Sequence, residues 1–170
     1  LNVICFDYLH YKIIVVFYKR FGKSGRIEVR CLFRNIMNDL ATWFETEADK
    51  IAVVRGGKFV GKTWAVTDFA MGFFEDHVII DMNRYVDFAV YASKERRPEK
   101  IHAKLTTSLD KYDFKDKLLI FDNAQNCDGL LKNLVEYSKY NTDCRICVIA
   151  TVTGPMAGEE ECRDSISVYE

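Results

Sequence analysis

Four short apolar runs punctuate the chain, at residues 51–54, 78–80, 118–121 and 146–151, with a candidate fifth at 166–169. They are rich in Val, Ile and Leu and do not alternate with polar residues, as expected of strands buried on both faces. Between them the period changes. Leu32, Phe33, Ile36, Met37, Leu40, Trp43 and Phe44 recur at helical spacing and predict an amphipathic helix before the first run. Residues 61–75 contain no proline and predict a second helix. Residues 84–96 and 99–111 read as two more, with Pro98 well placed to open the latter. Leu130, Leu131, Leu134 and Val135 mark another, begun by Asp128. Strands alternating with helices predict an α/β fold: a three-layer, mostly parallel sheet of about five strands with helices on both faces. Crossovers are expected to be right-handed, and a ligand is expected at the carboxyl ends of the strands.

Residues 1–30 read as a separate N-terminal extension, leaving 31–170 as the compact domain. Residues 11–18 predict a strand, 22–25 a glycine-bounded turn and 26–31 a second strand. Lys19, Arg20, Lys23, Arg26 and Arg30 make this stretch basic. A solvated hairpin is one reading, and contact with the phosphates of a nucleic acid is another. A third is that the stretch stands outside the natural domain, which would then start near Met37.

The first apolar run leads into Gly56-Gly57-Lys58-Phe59-Val60-Gly61-Lys62-Thr63. This is G-x-x-x-x-G-K-[ST] between a predicted strand and a predicted helix, the context in which the pattern denotes a loop for nucleotide phosphates. The chemistry demands these residue types. Glycines at 56, 57 and 61 allow backbone angles that other residues avoid and keep Cβ atoms off the phosphates. Successive N–H groups can then form an anion nest, reinforced by the positive end of the following helix. Residues 56–64, closing with Trp64, are the expected nucleotide cradle. Lys62 is the expected neutraliser of β- and γ-phosphate charge, and the Thr63 hydroxyl an expected Mg²⁺ ligand.

The third run ends in Asp122, the shape of a strand that delivers a carboxylate to Mg²⁺ directly or through water. Asn123 follows. An asparagine can hydrogen-bond an attacking water but cannot take its proton, and loss of a general base typically costs ~10²–10⁴ in rate. Gln125 and Asp128 are the nearby candidates to compensate. Thr151 ends the fourth run, with Thr153 two residues on, and is a candidate to contact the γ-phosphate or the water. Lys62, Asn123 and Thr151 are thus the catalytic candidates.

Composition narrows the picture only a little. The 170 residues are 49% hydrophobic and 14% aromatic, enough for a real core, and the net charge of −1 supports neither global nucleic-acid nor membrane binding. Asp7, His10 and Lys12 interrupt the apolar start and argue against a membrane span. His10, His77 and His102 are isolated and receive no role. The six cysteines, at 5, 31, 127, 144, 147 and 162, lack the spacing of a disulfide scaffold. Cys144-x-x-Cys147 lies in an apolar run with no second pair to complete a zinc site, so buried thiols are expected. An ATP-binding chain with reduced thiols is expected to be cytoplasmic.

Taken in order, LFRNIMNDLATWF, GGKFVGKTW, FAMGFFEDHVIIDM, LLIFDNAQNCDGLLKNLVEYSKY and VIATVTGPMA resemble a family of prokaryotic AAA-like ATPases. In that family a P-loop domain precedes a C-terminal domain of unknown function. The resemblance covers roughly residues 30–170. It implies ATP and Mg²⁺ as ligands, bound through Gly56, Gly61, Lys62, Thr63 and Asp122, in a sheet whose sensor strand lies between the loop strand and the Asp122 strand. Three departures stand out: Lys58-Phe59 for Arg-Gln, Asp122-Asn123 for Asp-Glu, and Ala150-Thr151 for Gly-Ser. The chain stops where the family passes into its later parts, so a truncated, diverged member is expected. Any arginine finger would have to come from a protein partner or another subunit. The expectation is an ATPase with slow or impaired hydrolysis. One alternative is a nucleotide-sensing module without turnover. The other is a small-molecule kinase using Arg96 and Arg97.

Overall fold

In a computed structural model the chain is described at residues 3–8, 11–16, 18–21, 27–30, 35–110 and 113–170, with side chains for 36–110 and 113–170. It divides into two units, Leu1–Asn35 and Ile36–Glu170. The first unit holds two antiparallel pairs. Val3–Tyr8 (β1) pairs with Tyr11–Val16 (β2), and Tyr18–Phe21 (β3) with Ile27–Arg30 (β4). The single strand expected over 11–18 is therefore two, each with its own partner. The turn at 22–25 and the basic side chains around it lie outside the described residues.

The second unit follows the predicted alternation. Helix α1 (Asn35–Thr46) precedes β5 (Ile51–Arg55), and α2 (Lys62–Phe73) precedes β6 (Asp76–Asp81). Helices α3 (Val86–Lys94) and α4 (Pro98–Leu109) lead to β7 (Lys117–Asp122). Helix α5 (Leu130–Tyr140), β8 (Arg145–Ala150) and β9 (Ile166–Tyr169) complete it. The five strands run in the order β6-β7-β8-β5-β9, every pairing parallel. Strand β8 thus lies between the glycine-loop strand and the Asp122 strand, the expected order.

Side chains that alternate along a strand must face opposite sides of the sheet. Here both sides are apolar, which is why the strands read as unbroken runs. Ala52, Val54, Leu118, Ile120, Cys147 and Ile149 pack under α1 and α2, with Leu40, Trp43, Val66 and Phe69. Ile51, Val53, Leu119, Phe121, Ile146 and Val148 pack on the other side, with Phe88, Ile101, Leu105, Leu131 and Leu134 of α3, α4 and α5. Arg145 ties the layers at one corner. Its guanidinium lies 4.6 Å from the Trp43 ring centroid, and Nη2 donates to the Trp43 carbonyl at 3.2 Å. A cation at that position also complements the carboxyl end of α1.

The start of α5 differs from expectation. Asp128 does not cap it; Gly129 does, at φ 84°. A Cβ there would stand 2.6 Å from the Ser93 carbonyl oxygen of α3. The two helices meet where only glycine fits, and that requirement outweighs the capping preference of an aspartate.

Candidate functional site

The loop between β5 and α2 turns on three residues of positive φ. Gly61 caps α2 at φ 83°, so the chain enters the helix directly from the loop and the first helical N–H groups have no side-chain cap. Gly56 has φ 146°. Gly57 does not use the positive-φ region open to it, and the non-glycine residue of positive φ in the loop is Phe59, at φ 64°. Phe59 is 92% exposed, and the Lys58 ammonium lies 4.9 Å from its ring centroid. Trp64 is half exposed on the first turn of α2.

Lys62 is buried beneath the loop. Its Nζ donates to the carbonyls of Gly56 at 3.0 Å and Gly57 at 2.7 Å. Burial pulls its pKa below the ordinary lysine value, and the Asp122 carboxylate works in the opposite direction. To reach a phosphate, the ammonium must exchange two neutral carbonyls for anionic oxygens, a stronger pairing.

Thr63 Oγ1 donates to Asp122 Oδ2 at 2.8 Å, joining α2 to the end of β7. These hard oxygen donors suit Mg²⁺, which is commonly held by one or two protein oxygens together with substrate phosphates. Among the described residues no group of three or more His, Cys, Asp or Glu gathers as a metal site.

Beyond Asp122 the chain leaves the strand abruptly. Asn123 is left-handed, at φ 59° and ψ 37°, a conformation asparagine tolerates better than most residues. Its N–H donates to Asp122 Oδ1 at 2.7 Å and its Nδ2 to Asp81 Oδ1 at 2.9 Å. Asp81 ends β6 as the register partner of Asp122, and it also accepts from the Asn83 N–H at 3.0 Å. Sequence reading assigned Asp81 no role, since a lone aspartate ending a strand gives little signal; the contact with Asn123 spans 42 positions of chain.

Gln125 is placed against β8: its Oε1 accepts from the Thr151 N–H at 3.1 Å. Gln125 and Thr151 therefore meet at the strand tip. Asp128 lines a groove of about 420 Å³ together with Asn123, with Met82, Val86, Val90, Lys94 and Cys127 among its walls. Arg97 is engaged locally, its Nε donating to Glu95 Oε1 at 2.9 Å. His102 Nδ1 lies 3.0 Å from the Tyr137 hydroxyl, within the α4–α5 packing. Cys144 and Cys147 are buried and unpaired, as expected.

No family model matches the chain, and no curated protein does. Among solved structures it is similar to C. elegans PCH-2, at 11% identity and a TM-score of 0.43. The match covers 78% of this chain and 39% of that one, so the chain spans well under half of that protein's length. No helix among the described residues is long and apolar enough to cross a membrane.

Proposed function

We propose that this is an ATP–Mg²⁺-binding, AAA-like P-loop domain that couples nucleotide binding to conformational change and hydrolyses ATP slowly. The observation that carries the reading is the 2.8 Å hydrogen bond between Thr63 and Asp122, 59 positions apart. Two sequence elements that each suit Mg²⁺ meet at the carboxyl ends of a parallel sheet, where such folds bind ligands.

In this reading the backbone of residues 56–61 and the amino end of α2 receive the phosphates. Lys62 exchanges its loop carbonyls for β- and γ-phosphate oxygens. Thr63 and Asp122 hold Mg²⁺, which supplies charge neutralisation on the phosphates. Asn123 accepts a hydrogen bond from the water that attacks in line, and Thr151 sits at the tip of β8 to contact the γ-phosphate or that water. No proton acceptor follows Asp122, so turnover is slow. A partner or second copy that supplies an arginine finger belongs to the same reading.

The second reading is a nucleotide-sensing module without turnover, and the engagement of Asn123 by Asp81 at 2.9 Å favours it. Calorimetry with ATP and Mg²⁺, followed by phosphate release on the same sample, separates the two. Binding with release supports the ATPase, and binding without release supports the sensor. Lys62→Ala is expected to abolish binding; an unchanged affinity in that variant would remove the basis of both.

A further inference from the structure

The glycine motif of residues 56–63 carries two lysines, and they are held in opposite ways. Lys62 is buried, its ammonium fastened to the Gly56 and Gly57 carbonyls. Lys58 is exposed. Among the described residues it forms no ion pair and no hydrogen bond, and its ammonium rests 4.9 Å from the Phe59 ring centroid. Phe59 is anomalous in two ways. A bulky side chain at φ 64° is strained, and it is 92% exposed, so burial does not compel that conformation. Strain of this kind gathers at ligand clamps. In this loop it accompanies the contact between ring and ammonium. An exposed cation–π contact is weak, and an anionic phosphate oxygen is a stronger partner for the same ammonium.

Charge balance asks for a further cation. The charge of a nucleoside triphosphate exceeds what Lys62 and one divalent cation neutralise, and Asp122 returns a negative charge to the site. Arg55, next to the loop, is committed elsewhere: it pairs with Glu159 at 2.8 Å and with Glu170 at 2.7 Å. Arg97 is committed to Glu95. Lys58 has no anionic partner and belongs to the loop itself. We propose that Lys58 is a second phosphate-binding lysine, which leaves the Phe59 ring to pair with the terminal phosphate of a nucleoside triphosphate. The inference rests on the nucleotide-binding reading above and deepens it. The inner phosphates fall to the backbone of the loop and to Lys62. The terminal phosphate, which carries the largest share of charge, falls to Lys58. The site thereby distinguishes triphosphate from diphosphate with a cation of this chain, independently of any arginine that a partner adds.

The test is calorimetry of ATP and of ADP, each with Mg²⁺ and again in EDTA, on the parent chain, Lys58→Met and Lys58→Arg. Methionine keeps an unbranched apolar stem and removes the charge. Lys58→Met is expected to weaken ATP by about tenfold in both media and ADP by less than about twofold, as the loss of one hydrogen bond to a charged group would. Lys58→Arg is expected to hold ATP within about threefold of the parent, since it keeps the charge and the donors. Because the side chain is exposed, the urea midpoints of all three chains should coincide, which separates lost contact from lost fold. Equal losses for ATP and ADP, or no loss for either, would overturn the role of Lys58 while leaving nucleotide binding intact. So would a loss confined to Mg²⁺, which would place the effect on the metal. Absence of ATP binding by the parent chain would instead overturn the nucleotide-binding reading, and this inference with it.

Discussion

The hydroxyl of Thr63 and the carboxylate of Asp122 stand 2.8 Å apart, so a helix start and a strand end share one hydrogen bond. Asp122→Asn retains an oxygen that can accept from Thr63 but loses the negative charge that would hold a divalent cation. The expected outcome is a selective loss: ATP affinity in Mg²⁺ falls by about tenfold or more, equivalent to at least ~1.4 kcal/mol, while affinity in EDTA changes little. Calorimetry under both conditions checks it. An equal loss with and without Mg²⁺ would mean that Asp122 acts on the loop rather than on the metal.

Gly129 and Gly158 offer a controlled comparison of backbone strain with and without a steric clash. Their φ values are 84° and 88°. A Cβ on Gly129 meets the Ser93 carbonyl at 2.6 Å, whereas one on Gly158 meets nothing within 4 Å. Gly158→Ala should cost about 1 kcal/mol from backbone strain alone. Gly129→Ala should cost about 3 kcal/mol, since α5 must also shift away from α3. Urea unfolding midpoints measure both, and equal losses would refute the close approach.

Most of the sheet was legible because its strands are buried on both faces, and a run such as 118–121 has no other economical placement. The strand order followed from the resemblance to AAA-like ATPases rather than from the runs themselves. The Thr63–Asp122 pairing was legible in outline, because each residue belongs to a local pattern with a chemical reason. What could not be read were contacts made across strands without local signature. Asp81 meets Asn123 only because β6 and β7 pair in a register that aligns Asp81 with Asp122. The left-handed conformation of Phe59 was not legible for a related reason. Glycine at 57 permits positive φ but does not require it, and the path of the loop puts that conformation on Phe59.

Strand β5 is locked at its carboxyl end by Arg55, whose Nη1 donates to Glu159 Oε2 at 2.8 Å and whose Nη2 pairs with Glu170 Oε1 at 2.7 Å. The two partners differ in burial: the Glu159 side chain is 9% exposed and that of Glu170 is 65% exposed. Glu159 also accepts the Met156 N–H at 2.8 Å, so it organises the segment after β8 as well. Glu159→Ala leaves Arg55 Nη1 and the Met156 N–H without their acceptor, with Arg55 held only by the exposed Glu170, and should cost about 3 kcal/mol. Glu170→Ala should cost less than about 0.5 kcal/mol, because an exposed pair is weak. Chemical denaturation distinguishes them. Because Arg55 immediately precedes Gly56, Glu159→Ala should also weaken ATP binding, whereas Glu170→Ala should not.

The cysteine pair at 144 and 147 makes a prediction about pH. Cys147, on β8, is fully buried and Cys144 nearly so. Burial raises both thiol pKa values, that of Cys144 from the ordinary 9.0 to about 12. A thiol must ionise to react with iodoacetamide, and at pH 8 a group with such a pKa is ionised to only about one part in 10⁴. Both cysteines should therefore stay unlabelled in the folded chain and label readily in urea, as read peptide by peptide by mass spectrometry. The same shift acts on stability. A group whose pKa is raised on folding contributes its full stabilisation below the unfolded value, and that contribution is lost as pH climbs toward the folded one. Tyr169, raised from 10.0 to about 12 chiefly by burial, acts in the same direction. The urea midpoint should hold level to about pH 9 and then fall between pH 9 and 12, and Cys144→Ala should flatten the first part of that fall. Rapid labelling of Cys144 and Cys147 in the folded state, or a midpoint that rises above pH 9, would contradict their burial.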